Sequence, residues 1–355
     1  MNDAPPSATW MIYGANGYTG RLIAREAVRR GLQPILAGRR GEAIRRLATE
    51  LGCSSRVFDL ASHEAVVAGL EGVQAVLNCA GPFSSTAVPM MEACLATGTH
   101  YLDITGEIEV IEAGHDRHDR AKQAGVTLIP AVGFDVVPTD CLAATLAAEL
   151  PDANHLEMAF LGLSSLSPGT AKTMAENQHR GGRVRRAGKL VAVPAAWKTM
   201  DVPFRSGTHA TVTIPWGDVA SAFYTTGIPN IEVYVGMPRG QIKWMRRLRP
   251  LYGLMAFTPM QRLVKWIIGR RVPGPNDEEL KTTHSSLWGR VTNEAGQSVE
   301  ATMETPGGYP LTVETSLAAT LRVLNHEAPT GYTTPAQAFG KDFILEMPET
   351  DLMIS

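Results

Sequence analysis

The sequence predicts an α/β protein: a doubly wound parallel sheet, then a second α+β domain built on a mainly antiparallel sheet. Three observations predict it. Residues 9–31, TWMIYGANGYTGRLIAREAVRRG, pass from an apolar run through three glycines at three-residue spacing into a helical pattern. Short apolar runs then alternate with helical segments as far as VTLIPAVGFDVVPTD, residues 126–140, as parallel βαβ units do. Beyond Pro151 the alternation gives way to strand-like runs separated by turn signals, the habit of antiparallel pairing.

Residues 10–13 suit a buried parallel strand, and Leu22, Ile23, Ala27 and Val28 share one face of the helix that follows, with Gly31 as its stop. Between them, Gly14 allows a tight turn, Gly17 a close backbone approach to a ligand, and Gly20 close helix–strand packing. The first-turn N–H groups then favour a pyrophosphate. Asn16 stands where a dinucleotide fingerprint usually has its second glycine. The expected cradle of this Rossmann-type unit is Gly14, Asn16, Gly17, Tyr18, Thr19 and Gly20.

The second strand, residues 33–37, ends in AGRR. An NAD-binding unit usually carries an acid there for the ribose 2′-hydroxyl, whereas Arg39 and Arg40 suit a 2′-phosphate, so NADP is the expected cofactor. A solvated basic helix start would show the same residues. A third strand ends at Asp59, placed for the adenine side. A fourth, in AVLNCAGPF, ends in Cys79, Ala80, Gly81 and Pro82, a rim for the nicotinamide ribose. HYLDITGE, residues 100–107, supplies the fifth strand, where Tyr101, Asp103 and Glu107 are expected to order the loop.

Composition narrows the classes. A chain of 355 residues, 44% hydrophobic and 19% charged, has ample core for two domains. A net charge of −2 argues for no nucleic-acid partner. Cys53, Cys79, Cys94 and Cys141 are scattered without a Cys-x-x-Cys pair, which fits free thiols in a reducing compartment and no metal site. The opening MNDAPPSATW lacks a signal pattern, and the apolar run 251–268 is broken by Pro259, Gln261, Arg262 and Lys265. The expectation is a cytoplasmic protein.

The motifs YGANGYTGRL, AGRR, LNCAGPF, YLDITGE and GFDVVPTD, in this order, resemble the saccharopine dehydrogenase-like oxidoreductases, in the branch that includes trans-acting enoyl reductases. PGTAKTM (168–174) and APTGYTTPAQAFGKDFI (328–344) extend the resemblance. It implies an NADP-binding domain over 1–140, a second domain over 141–327 beside the nicotinamide, and a segment 328–355 that returns to the first.

In the second half, HLEMAFLGL, LVAVPAAW, HATVTIPW, IEVYVGM, SLWGRVTNEAG and LTVETSL read as strands, with helices from about Thr170 and after Ile242. This sheet is the expected substrate floor and the place for a homodimer contact. Three residues are candidates for chemistry. Asp135, after the sixth strand, can orient substrate or relay a proton, or simply cap the helix near Pro138. Lys172, in the first turn of a helix capped by Thr170, and His179 can protonate a substrate, or be solvated in a flexible basic stretch.

Residues 241–271 hold eight Lys and Arg, no acid, and Trp244, Phe257 and Trp266. Such a segment suits a lipid-like substrate or peripheral membrane contact, and equally a core-packed helix pair with a basic face. Three functions follow: an NADPH-dependent reductase of an enoyl-type hydrophobic substrate, which is preferred; an imine-reducing amino-acid dehydrogenase; or a non-catalytic dinucleotide-binding docking protein.

Overall fold

The computed structural model describes residues 8–162, 181–249 and 283–355. The chain forms two compact units, 1–137 with 311–340, and 138–310 with 341–355. The segment 328–355 is therefore divided between them.

The first unit alternates β1 (Trp10–Tyr13), α1 (Tyr18–Arg29), β2 (Ile35–Gly38), α2 (Gly41–Leu51), β3 (Ser55–Val57), α3 (His63–Leu70), β4 (Ala75–Asn78), α4 (Phe83–Thr97), β5 (His100–Asp103), α5 (Ile108–His115), α6 (His118–Gln123) and β6 (Thr127–Ile129). The strands lie in the order β6-β5-β4-β1-β2-β3, with the two-residue strand Gly331–Tyr332 beside β6. Every pairing is parallel. Strands β1, β2 and β4 are buried throughout, which is why they read as continuous apolar runs. Met11, Val76, Met90, Met91 and Tyr101 belong to one core on the α3–α4 side. Each such side chain contributes about 1.5–3 kcal/mol by burial.

Strand order reverses between β1 and β4, which puts a crevice at their carboxyl ends. The loop after β6 is fastened to the helix Gly308–Leu324, whose residues from Leu311 on belong to this unit. The Thr312 hydroxyl accepts from the Phe134 N–H at 3.0 Å, and the Thr315 hydroxyl donates to the Val132 carbonyl at 2.8 Å.

This helix corrects the reading of LTVETSL as a strand. It is buried on nearly every side, so it shows no amphipathic stripe. Its β-branched residues pass for strand formers. Yet the Thr320 hydroxyl bonds back to the Ser316 carbonyl at 2.7 Å, which satisfies it within a helix.

The second unit opens with α7 (Val137–Glu149), which belongs to it from Pro138 on. Its strands are β7 (His155–Leu161), β8 (Gly182–Arg186), β9 (Lys189–Val193), β10 (Thr199–Phe204), β11 (Gly207–Thr213), β12 (Asn230–Gly236), β13 (His284–Thr292) and β14 (Ser298–Pro306). The sheet runs β10-β11-β12-β7-β13-β14 and ends on the strand Asp351–Ile354; β8 also pairs with β12, and β9 pairs with β8. Among the described residues only the β12–β7 pairing is parallel; the others are antiparallel. The basic run at 182–186 is not a flexible stretch but the strand β8, whose hairpin with β9 pairs five residues on each strand.

Among the described residues no helix is long and apolar enough to cross a membrane. Of the basic apolar segment, the helix Arg239–Leu248 is described, with Ile242 buried and Trp244 exposed; residues 250–271 lie outside the described residues.

Candidate functional site

At the end of β1 the chain turns into α1 through the glycines. Gly14 adopts φ +79°, the left-handed region. Its N–H donates to the Ala37 carbonyl of β2 at 2.8 Å. A Cβ there would stand 2.8 Å from the Ala80 backbone nitrogen after β4, so no side chain fits. Gly17 caps α1 with no side-chain hydrogen bond, and no acid occupies the first turn. The positive end of this 12-residue helix is open to an anion.

The start of α4 differs. Glu107 sends one carboxylate oxygen to the Phe83 N–H and the other to the Ser84 N–H, both at 2.9 Å. That helix end already has its negative charge, whereas the end of α1 has no acid in its first turn.

Arg39 and Arg40 are exposed at the end of β2. Arg40 is the N-cap of α2 and makes no side-chain cap bond. Neither arginine forms an ion pair among the described residues. Tyr13 ties the edge together: its hydroxyl donates to the Phe58 carbonyl at 3.1 Å and its ring lies 5.0 Å from that of Phe58. Burial, then the nearby Asp59 charge, push the phenol up to about 12, against the pull of Arg39. Asp59 is exposed, and one of its oxygens accepts the Ala61 N–H at 2.7 Å, turning the chain after β3.

After β4, buried Asn78 orders the next turn. Its amide oxygen accepts from the Ala80 N–H at 3.0 Å, and its amide nitrogen reaches the Thr86 and Tyr101 hydroxyls, both at 3.3 Å. The Gly81–Pro82 peptide is cis. Burial, then the Asp103 charge, push the Cys79 thiol well above its usual range, so it stays protonated at neutral pH.

Across β5 and β6 the edge is acidic. Asp103 is fully buried; it accepts from the Tyr101 hydroxyl at 2.6 Å, the Thr105 N–H at 3.0 Å and the Ala131 N–H at 2.8 Å. Burial nevertheless pushes it up to about 6. Ala131 sits at φ +66°, an unusual conformation for a residue with a Cβ, and Asp103 is what holds it. Asp135 keeps part of its surface accessible. A Cβ on Gly106 would stand 2.9 Å from its Oδ2, so Gly106 makes room for the carboxyl. Burial, then the Glu107 charge, push Asp135 up to about 7.

The structure thus gathers Gly14, Asn16, Gly17, Tyr18, Thr19 and Gly20 with Arg39, Arg40, Asp59 and the Cys79–Pro82 rim along the carboxyl edge of β1–β4, and puts Asp135 after β6 on the same sheet. Lys172 and His179 lie outside the described residues. Asn78, Thr86 and Thr312 escaped the sequence reading; only the polar Asn78 closing the apolar run AVLN signals itself there. Among the described residues no group of His, Cys, Asp and Glu is placed to hold a metal ion.

Residues suited to a dinucleotide phosphate are therefore present: a glycine turn that a Cβ would fill, a helix start without an acid, and exposed arginines at the end of β2. Residues 10–129 match the family described as the saccharopine dehydrogenase NADP binding domain. A putative trans-acting enoyl reductase of Mycobacterium tuberculosis is 31% identical over 192 residues, 50% of this chain and 45% of that protein. A trans-acting enoyl reductase of Mycobacterium leprae is 36% identical over 138 residues, 37% of this chain and 33% of that one. A saccharopine dehydrogenase-like oxidoreductase of Bos taurus is 31% identical over 150 residues, 37% and 35% of the two chains. These matches span less than half the length of each relative. Saccharopine dehydrogenase (L-Glu forming) of Saccharomyces cerevisiae shares the fold, with a TM-score of 0.65 over 98% of this chain and 100% of that one at 10% identity. Over residues 10–129 the chain is thus similar to the saccharopine dehydrogenase NADP binding domain.

Proposed function

We propose that the protein is an NADPH-dependent reductase acting on an unsaturated hydrophobic substrate of the enoyl type. One observation carries the reading: a single sheet edge holds a glycine turn with an uncapped helix start after β1 and, after β6, a carboxyl that burial pushes up to about 7. NADPH, when bound, supplies the hydride. The chain's own residues do the rest. The α1 turn holds the pyrophosphate, and Arg39 and Arg40 hold the 2′-phosphate. Asp135, protonated near neutrality, donates through its carboxyl to the atom that gains negative charge. Burial, helped by the Glu107 charge, favours the protonated form of Asp135, while α4 and Thr312 hold the surrounding loops in place.

The enoyl preference is supported by the names of the mycobacterial relatives.

The test is calorimetric titration with NADPH and NADH, on the wild type and on Arg39→Ala/Arg40→Ala, followed by NADPH oxidation with long-chain enoyl thioesters. The expected result is NADPH binding lost in the double variant, NADH binding unchanged, and turnover of the thioesters. Oxidation only with a 2-oxo acid plus an amine would replace the enoyl reading with imine reduction. No binding of either nucleotide would end both.

A further inference from the structure

Between α1 and α2 lies a cavity of about 280 Å³ that opens beside the glycine turn and is lined by Asn16, Arg21, Arg25, Glu42, Arg46 and Glu50. Asn16 belongs to both places. It is a residue of the turn, and a Cβ on Gly38 at the end of β2 would stand 3.4 Å from its Oδ1. The far end is closed by the Arg25–Glu50 ion pair at 3.0 Å. At the near end Arg21 and Arg46 form no ion pair among the described residues, and neither do Arg39, Arg40 and Arg45 around them. Arg45 folds back over the start of α2, its guanidinium 3.0 Å from where a Gly41 Cβ would be. Five cations therefore surround the first turn of α2, and the one acid lining the near end is Glu42.

A cavity of the same size on the sheet of the second unit shows the contrast. Its cations, Arg186 and Lys198, are both taken up by the buried carboxylate of Glu232. That cavity is self-neutralised, whereas the near end of the α1–α2 cavity is left with an excess of positive charge. Unpaired guanidinium groups facing one another across a gap repel, and a dianion placed between them removes the repulsion while taking up their planar donor forks.

We propose that Arg21 and Arg46 form a second wall of the adenosine 2′-phosphate site, opposite Arg39 and Arg40, and that Glu42 sets how strongly the site prefers NADP over NAD. This rests on the NADP-binding role of the domain. Arg21, on the first turn of α1, and Arg46, on the second turn of α2, reach the phosphate from the two helices while the β2 end reaches it from the sheet. Glu42 opposes the dianion and has no effect on a cofactor that lacks it.

The test is calorimetry with NADPH, NADH, adenosine 2′,5′-bisphosphate and 5′-AMP on the wild type, Arg21→Gln, Arg46→Gln and Glu42→Gln. Each arginine variant is expected to lose about tenfold in affinity for NADPH and the bisphosphate, charge-assisted bonds being worth that much, with NADH and 5′-AMP within about twofold of the wild type. Glu42→Gln is expected to bind NADPH more tightly, with NADH unchanged, a gain that damaged folding does not produce. An unchanged NADPH-to-NADH ratio in all three variants overturns the proposal and leaves the cofactor assignment standing. A wild type that binds neither nucleotide overturns both.

Discussion

A Cβ on Gly20 would lie 2.5 Å from the carbonyl oxygen of Gly14. The obstacle is backbone, held by the Gly17 N–H that donates to the same oxygen at 2.9 Å, so it cannot turn aside as a flexible side chain does. Gly20→Ala is expected to push α1 off the turn, costing about 1–3 kcal/mol as overpacking does. Urea unfolding and NADPH calorimetry check it: stability and affinity should fall together. Full retention of both would mean that the turn relaxes freely.

Asp135 gives a pH dependence of defined sign. The folded protein keeps this proton up to about pH 7, while the unfolded chain releases it near 4. Folding therefore gains as pH falls from about 7 towards 4, and the buried charge costs stability above 7. Asp135→Asn is expected to be more stable than the wild type at pH 8 and to lose that advantage by pH 5. If Asp135 is the proton donor, wild-type turnover falls as pH rises through about 7, and the variant loses about 10²-fold or more together with that limb. A stability gain without a change in the pH–rate profile would separate burial from chemistry.

Glu107→Ala leaves the N–H groups of Phe83 and Ser84 without their acceptor and removes the charge that adds to burial in raising Asp135. Loss of about 1–3 kcal/mol is expected in denaturant unfolding. The alkaline limb of turnover should also move to lower pH. Glu107→Gln, which keeps one acceptor oxygen, should recover part of the stability but not the original limb.

His100 lies at the other end of β5, where its Nδ1 accepts from the Thr127 N–H at 3.0 Å. Burial, then His326, lower its pKa. A histidine held neutral in the fold contributes its full stability above the unfolded value near 6.5 and loses it as pH falls. His100→Leu should therefore lose about 1 kcal/mol at pH 7.5 through the unpaired Thr127 N–H. It should also show a smaller drop between pH 7 and 5.5 than the wild type. Parallel drops in the two proteins would assign the acid lability elsewhere.

The glycine turn was legible in the sequence because it is a local device. The left-handed Gly14, the cap at Gly17 and the close packing at Gly20 involve residues within one turn of each other, and the arginines follow β2 directly. The network of Asn78, Tyr101 and Asp103 was not. It depends on β4 lying beside β5 in a register that sets Asn78 against Asp103, and nothing in either strand states that pairing. The helix Gly308–Leu324 was misread for a related reason: a segment buried all round loses the polar–apolar period that would mark it.

Sequence alone determined the alternation of short apolar strands and amphipathic helices, the phosphate-receptive turn and the basic end of β2, because each follows from spacing and residue chemistry over a few neighbours. Tertiary structure alone decided that Glu107 closes α4, that burial beside Glu107 holds a proton on Asp135, and that Arg21 and Arg46 meet across one cavity. Those are effects of desolvation and of charges brought close through space, and both come into being only when distant segments pack.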